Sequence, residues 1–483
     1  MKRAILICAL LCGVFTSQAK VKLPAVIASN AVLQRNETVN LWGEAIPNSK
    51  LTIRPSWTKQ KYSTVVGEDG KWILPVETTE AGGPYSISFS DGETTTIDNI
   101  MLGEVWLCFG QSNMRMIMKG NGGQPVEGMM DAILQADSLI PVRYFRTEYQ
   151  YGFEPKDDLV GDWRVNSPQY ISMRGATPYF FSLYLQGVLK VPVGIVECAW
   201  GGSRIESWMS PSMIKEYDPN YEIPTDTGEA EVDKPNHKAT LLYNGLLCPL
   251  QNLKFKGALW YQGEANLDNI PEYPKLFKIF VESLRADHFD NGTFPFYYAQ
   301  LAPYGGEKNK NTTLLMREQM AKMTDLVERT GMVVLSDVGE DKSIHPRRKQ
   351  EVGTRFAYWA LGDTYGYDYV AYRAPEFNTM RQVAANDLYP KRVAINFKHA
   401  PMGMSFADPA VSSVNFEVAG EDKVFYPATS RIGWGKDHIE VWSDQVDEIV
   451  AVRYGFHDFF KGDLFSAYGI PVSSFRTDDW ELE

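Results

Sequence analysis

Val105-Trp106-Leu107-Cys108-Phe109-Gly110-Gln111-Ser112-Asn113-Met114 is an apolar run broken by a glycine and followed at once by polar residues. Such a run reads as a buried strand, and Gly110 turns the chain out of it. A serine on a tight turn after a core strand can hold an exposed hydroxyl on a rigid base. Met114 stands where a Gly-x-Ser-x-Gly nucleophile elbow needs its second glycine, which disfavours the α/β-hydrolase pattern. Taken alone, Gly110–Met114 reads more readily as an ordinary turn or helix N-cap. Its meaning depends on what the other strand ends carry.

Around this stretch, residues 101–375 alternate short apolar runs with helical patterns. The predicted strands are Val105–Phe109, Val142–Phe145, Val193–Ala199, Ala258–Tyr261, Phe296–Leu301 and Met332–Ser336. Predicted helices include Pro178–Leu189 and Arg347–Leu361, where Val352, Phe356 and Trp359 fall at helical spacing. This alternation predicts an α/β domain with a parallel sheet covered by helices on both faces, so ligands bind at the carboxyl ends of the strands. Residues 20–100 read as a small N-terminal β-sandwich-like domain, with alternating runs such as Val39–Trp42 and Tyr85–Phe89 between Asp-Gly turns. Residues 376–483 read as a C-terminal β region, with strands at Val393–Phe397, Val411–Val418, His438–Trp442 and Ile449–Tyr454. The segment Tyr217–Lys238 reads as a polar surface insertion.

With 483 residues, two or three domains are expected, and 44% hydrophobic with 22% charged residues is ordinary for a globular chain. A net charge of −12 argues against nucleic acid or an anionic membrane surface as partner. Residues 1–19 read as a signal peptide: Lys2 and Arg3 are basic, Ala4–Phe15 is apolar, and Ser17-Gln18-Ala19 is a cleavage site. The expected location is periplasmic or secreted. The leader's apolar run is too short for a stable anchor, and no later segment is long and apolar enough to span a membrane. Beyond the leader, Cys108, Cys198 and Cys248 form neither a disulfide framework nor a metal-binding spacing.

Four strand ends carry polar residues the core does not need. Ser112 follows the first strand. Trp200-Gly201-Gly202-Ser203 follows Val193–Ala199, Gln262-Gly263-Glu264-Ala265-Asn266 follows Ala258–Tyr261, and a loop with Asp337, Glu340, Asp341 and His345 follows Met332–Ser336. Together they supply a nucleophile, donors for an oxyanion, a base and nearby acids, the inventory of a serine hydrolase. Of the six histidines, His237 lies in the polar insertion, His288 among helix and turn residues, and His399, His438 and His457 in the C-terminal β region. Only His345 follows a parallel-type strand and precedes a helix, with Pro346 suited to its first turn. Glu264 reads best as a buried acid bracing the amide turn.

The blocks Val105–Met114, Trp260–Asn266 and Ile344-His345-Pro346 resemble the sialate O-acetylesterases, within the SGNH hydrolase superfamily. Val32–Arg35, Gly70–Trp72, Gly201–Trp208, Val452–Gly455 and Phe475–Trp480 are also similar to segments of that family, so the resemblance spans nearly the whole mature chain. It implies a three-layer, flavodoxin-like SGNH domain. It implies Ser112 as nucleophile, His345 as base, and an oxyanion site made by the Ser112 N–H, a glycine N–H of Gly201-Gly202 and an amide of Gln262 or Asn266. The implied reaction is transfer of an acetyl group from an O-acetylated sugar to Ser112 and then to water, with no metal or organic cofactor.

Two departures bear on mechanism. The superfamily's acid stands three residues before the histidine, where this chain has Lys342. Either Asp341, one residue out of register, orients His345, or a Ser-His dyad works with a backbone carbonyl, or activity is lost. Arg115 follows Met114 where the family often has an acid, and Arg204 lies beside the glycine turn. Both are candidates to bind a substrate carboxylate, with Glu264 near them in the site. An esterase for acetylated xylan or another glycan is the alternative within the same chemistry. A glycan-binding protein on a degenerate esterase scaffold is the alternative outside it.

Overall fold

The computed structural model describes residues 21–226, 228, 232–287, 294–306 and 311–482. The leader at 1–19 and His288 lie outside these residues.

The strand that leads to Ser112 is much longer than its apolar run. Strand β1 (Thr94–Gly110) has two halves with different surroundings. Its first half pairs antiparallel with Gly82–Ser90 of the N-terminal β region, and its second half enters a parallel sheet. The strand thus passes without interruption through residues 100 and 101. The N-terminal strands alternate as expected, burying Val39 and Leu41, Leu51 and Ile53, and Ile87 and Phe89 on their inner faces.

In the central sheet β1 is joined by β2 (Val142–Thr147), β3 (Gly161–Val165), β4 (Val193–Ala199), β5 (Gly257–Tyr261), β6 (Phe296–Ala299) and β7 (Thr330–Val333). The order is β7-β6-β5-β1-β4-β2-β3, all parallel except the edge strand β3. Strand order reverses on either side of β1, so β4 and β5 both flank it. A crevice opens at such a switch point beyond the carboxyl ends of the strands.

Helices cover both faces. The side chains of β1 alternate: Trp106 and Cys108 face α2 (Ala176–Leu189) and α5 (Lys349–Trp359), while Val105, Leu107 and Phe109 face α3 (Tyr273–Asp287) and α4 (Thr312–Leu326). Trp106 meets Phe181 of α2 edge-on at 5.2 Å, and Phe109 lies 5.9 Å from Phe280 of α3. Helices α2 and α5 approach so closely that a Cβ at Gly353 would lie 2.6 Å from the Thr177 carbonyl oxygen. The architecture is therefore the three-layer α/β domain with flanking β regions.

Three local expectations shift. Val334–Ser336 leave the ladder, because Arg355 takes the Val334 carbonyl and Ser336 bonds to Val472 and Gly462 of the C-terminal region. Val411–Val418 is strand only from Phe416. Asp408 closes a turn onto Ala410 and Val411, and Asp463 takes the Ser413 hydroxyl and the Val414 N–H. Pro346 does not open α5, which starts at Lys349; the Arg347 N–H is held by the Glu340 carboxylate, which keeps this stretch in the loop. The C-terminal β region docks on α4 through buried Arg317, which donates to the His457 and Asp458 carbonyls, and through an Arg476–Glu318 ion pair. Among the described residues no helix is long and apolar enough to cross a membrane.

Candidate active site

Gly110 and Gln111 fix the turn that carries Ser112. Gly110 has φ +126°, and a Cβ there would lie 2.3 Å from the Tyr261 carbonyl oxygen, so only glycine fits. The Gln111 N–H donates to the Tyr261 carbonyl, and its side-chain oxygen accepts from the Gly263 N–H at 3.1 Å. The turn is thereby stitched to the end of β5. Ser112 opens the four-residue helix α1 (Ser112–Arg115).

The structure brings together Ser112 and His345, which stand 233 positions apart: Ser112 Oγ and His345 Nε2 are 2.8 Å apart. On its other side, His345 Nδ1 lies 2.8 Å from Gln124 Oε1. An amide oxygen only accepts, so Nδ1 carries the proton and Nε2 keeps a lone pair for the serine hydroxyl. Burial and the nearby Lys349 charge hold His345 below its ordinary titration range, leaving the ring neutral and basic near neutral pH.

The expected acid is not there. Asp341 is turned outward with its side chain 43% exposed and paired with Lys342 at 2.9 Å. Glu340 holds Arg347 and Asp337 holds Arg355 at 2.7 Å, so none of the three acids of this loop bonds His345. The half-buried Gln124 takes that position from the turn Asn121–Gln124, closed by reciprocal bonds between the two residues. Sequence reasoning missed Gln124 because it lies in a Gly-rich turn with no periodicity, far from every strand end. The one signal was Gly120, Gly122 and Gly123, which mark a backbone shaped for a purpose.

Gly201 adjoins Ser112: a Cβ built on it would lie 3.5 Å from Ser112 Cβ. Among the described residues, neither the Ser112 nor the Gly201 N–H has a hydrogen-bond partner. Gly202, at φ +66°, makes the turn.

The amides are differently employed. Gln262 Nε2 donates to the Ser203 carbonyl and to Asn266 Oδ1, while Gln262 Oε1 accepts from the Tyr273 hydroxyl at 2.7 Å. Asn266 Nδ2 donates to Glu206 at 2.9 Å, and its oxygen also accepts from the Ile205 N–H. Both side chains are buried and bonded within this turn, so they brace the glycine turn against β5, and neither lines the cleft at Ser112.

Glu264 lies outside the cleft. Its Oε1 accepts from Asn113 Nδ2 at 2.7 Å, and its Oε2 is buried without a hydrogen-bond partner among the described residues. Asn113 also donates to the Ile344 carbonyl, next to His345, and accepts from the buried Lys349 ammonium. One amide therefore ties the nucleophile turn, the base loop and the β5 turn together. Burial pushes Lys349 down to about 7 and raises the Glu264 carboxyl.

A cleft of about 500 Å³ opens at Ser112 and Gly201, lined also by Arg115, Arg146, Glu148, Tyr149 and Arg174. Arg204 is not in it. Asp268 at 2.8 Å and Glu206 hold that side chain elsewhere. Arg115 does line the cleft, but its guanidinium donates to the Thr147 and Ala199 carbonyls and lies over the Tyr149 ring at 4.2 Å. Behind it, Glu197 is fully buried in β4 and pairs with Arg146 at 3.2 Å. Arg174 donates to Asp162, and its Nε has no hydrogen-bond partner among the described residues. Sequence reasoning missed Arg146 and Arg174. Arg146 is nevertheless visible as a charge at the carboxyl end of a parallel strand, and Glu197 as a carboxylate inside an otherwise uncharged one. The cleft holds three guanidinium groups, set against Glu148 on its wall and against Glu197 and Asp162, which pair with Arg146 and Arg174.

A family model described as carbohydrate esterase, sialic acid-specific acetylesterase, matches residues 102–361. The chain is 26% identical to human sialate O-acetylesterase over 392 residues, covering 73% of each chain. It is 25% identical to the Mus musculus sialate O-acetylesterase over 425 residues, covering 76% of this chain and 78% of that one. Among solved structures, a carbohydrate acetylesterase from Xanthomonas citri superposes with a TM-score of 0.84 at 30% identity, covering 95% of this chain and 100% of that one.

Proposed function

This chain belongs to the sialic acid-specific acetylesterase family of carbohydrate esterases, within the SGNH hydrolase superfamily, and from that premise we propose that it removes acetyl groups from O-acetylated sialic acids through Ser112 and His345. It is a carbohydrate O-acetylesterase. The observation that carries the mechanism is the 2.8 Å contact between Ser112 Oγ and His345 Nε2. Ser112 Oγ attacks the acetyl carbonyl carbon as its proton passes to Nε2. The oxyanion that forms is met by the unpartnered N–H groups of Ser112 and Gly201, each worth a few kcal/mol in such a site. The imidazolium, held by Gln124 through Nδ1–H, then protonates the departing sugar oxygen. Water, deprotonated by Nε2, releases acetate from the acyl-serine and restores the hydroxyl.

The sialic acid reading is supported by the guanidinium groups of Arg115, Arg146 and Arg174 around the cleft, because a sugar carboxylate pairs with them and a neutral sugar does not. Acetate release from O-acetylated sialic acid and from acetylated xylo-oligosaccharides tests it. The parent enzyme prefers the sialic acid, and Arg174→Ala raises KM for that substrate at least tenfold while sparing the neutral ester. Equal effects on both substrates refute the carboxylate subsite, and Ser112→Ala gives the background. The motive for a binding-only scaffold was a base without an orienting partner, and Gln124 fills that role. We also infer export through residues 1–19; a mature N-terminus at Lys20, read by mass spectrometry of the purified protein, tests this.

A further inference from the structure

A second and larger groove, of about 2200 Å³, adjoins the cleft. Tyr149 lines both. Its ring packs at a tilt against Trp200, with centroids 4.5 Å apart, and carries the Arg115 guanidinium, so the shared wall is held from two sides. The cleft matches the ~300–1,000 Å³ typical of a site for one small molecule, whereas the groove exceeds that range. One side of the groove comes from the N-terminal β region, including Val65 and Ile73, and the other from the catalytic domain, including Tyr151, Phe153 and Lys156.

Its chemistry differs from that of the cleft. Val65 is 68% exposed and Ile73 48% exposed, large apolar side chains held open to solvent on regular strands. Tyr149 is 55% exposed at the junction. Acids outnumber lysines two to one among the lining residues, and no arginine is present. A negative groove repels an anionic chain. Exposed apolar and aromatic faces flanked by carboxylates and amides suit the alternating C–H faces and hydroxyls of a neutral sugar chain.

We propose that this groove binds a neutral oligosaccharide attached to the acetylated sugar, so that the enzyme acts on the acetylated residue of a glycan chain in preference to the free monosaccharide. The proposal rests on the esterase reading of the cleft and assigns the N-terminal β region a share in substrate binding. The test is kcat/KM for acetate release from matched pairs: an acetylated monosaccharide, and the same sugar ending a neutral tetrasaccharide. One pair is built on O-acetylated sialic acid and one on acetylated xylose. The parent enzyme favours the chain-linked member at least tenfold through KM. In the double variant Val65→Glu/Ile73→Glu the preference falls below threefold, while the free monosaccharide and 4-nitrophenyl acetate are hydrolysed as before. Equal kcat/KM within each pair for the parent, or a preference that survives in the double variant, overturns the groove. Turnover of the xylose pair alone refutes the sialic acid reading but still reports on the groove. Hydrolysis that persists in Ser112→Ala refutes the esterase site itself.

Discussion

Replacing Gln124 tests how this enzyme works with an amide where a carboxylate is usual. The Gln124 oxygen accepts from His345 Nδ1 at 2.8 Å in a half-buried setting. In the resting enzyme that bond joins two neutral groups and contributes about 1 kcal/mol; in the transition state the donor is an imidazolium, and the bond contributes about 1.5–3 kcal/mol. Only the difference, about 0.5–2 kcal/mol, accelerates the reaction. Gln124→Ala should therefore lower kcat/KM by roughly 2- to 30-fold. Gln124→Glu puts an anion at the same place. It favours the imidazolium, so the His345 pKa rises and the acid limb of the kcat/KM profile moves to higher pH. The parent, with His345 held low by burial and the Lys349 charge, keeps its activity at a pH where the Glu variant is already protonated and idle. Stopped-flow hydrolysis of 4-nitrophenyl acetate between pH 4.5 and 9 measures both effects. An unchanged rate for Gln124→Ala, together with an unmoved acid limb for Gln124→Glu, would falsify the assignment.

Three further outcomes follow from the same geometry. Asp341→Asn should leave kcat/KM within about twofold, since among the described residues that carboxylate pairs only with an exposed lysine, whereas His345→Ala should remove activity; a large loss in Asp341→Asn would restore the displaced acid as partner. Lys349→Met removes a buried amine held down to about 7, below its unfolded 10.5, so the cost of burying it is fully present below pH 7 and fades as pH rises toward 10.5. The variant's Tm relative to the parent should therefore improve on going from pH 9 to pH 6, and a difference independent of pH in calorimetry would count against a charged lysine in the core. Gly110→Ala forces a Cβ to within 2.3 Å of the Tyr261 oxygen at positive φ and should cost more than about 2 kcal/mol in denaturant unfolding; a neutral effect means that the turn can relax.

The layered fold and the Ser112–His345 pair were legible because both rest on patterns that physics enforces. Buried parallel strands must be apolar, and polar residues collect where those strands end. The structure brings to Ser112 the one histidine that follows a parallel strand and precedes a helix, His345. The amides of Gln262 and Asn266 show the limit of that reasoning. A polar residue at a strand end either faces the crevice or folds back to satisfy the turn, and the choice depends on partners such as Ser203, Tyr273 and Glu206 that no spacing reveals. Gln124 was invisible for the complementary reason: its role comes from a loop closing over the crevice, and glycine-rich loops carry no periodic signal. Arg204 attracted attention by proximity in sequence, yet two acids draw it away.

The 17-residue strand that ends at Gly110 makes the N-terminal β region and the catalytic sheet parts of one object. Modules joined by a linker can be cut apart, shuffled or swapped between proteins. Here no such seam exists: a deletion that ends near residue 100 strips the antiparallel partner from the very strand whose far end carries the nucleophile. Loosening of the outer β region is transmitted along a single continuous backbone to the serine, so this enzyme should melt in one step across both regions and lose activity with the first of its structure to unravel.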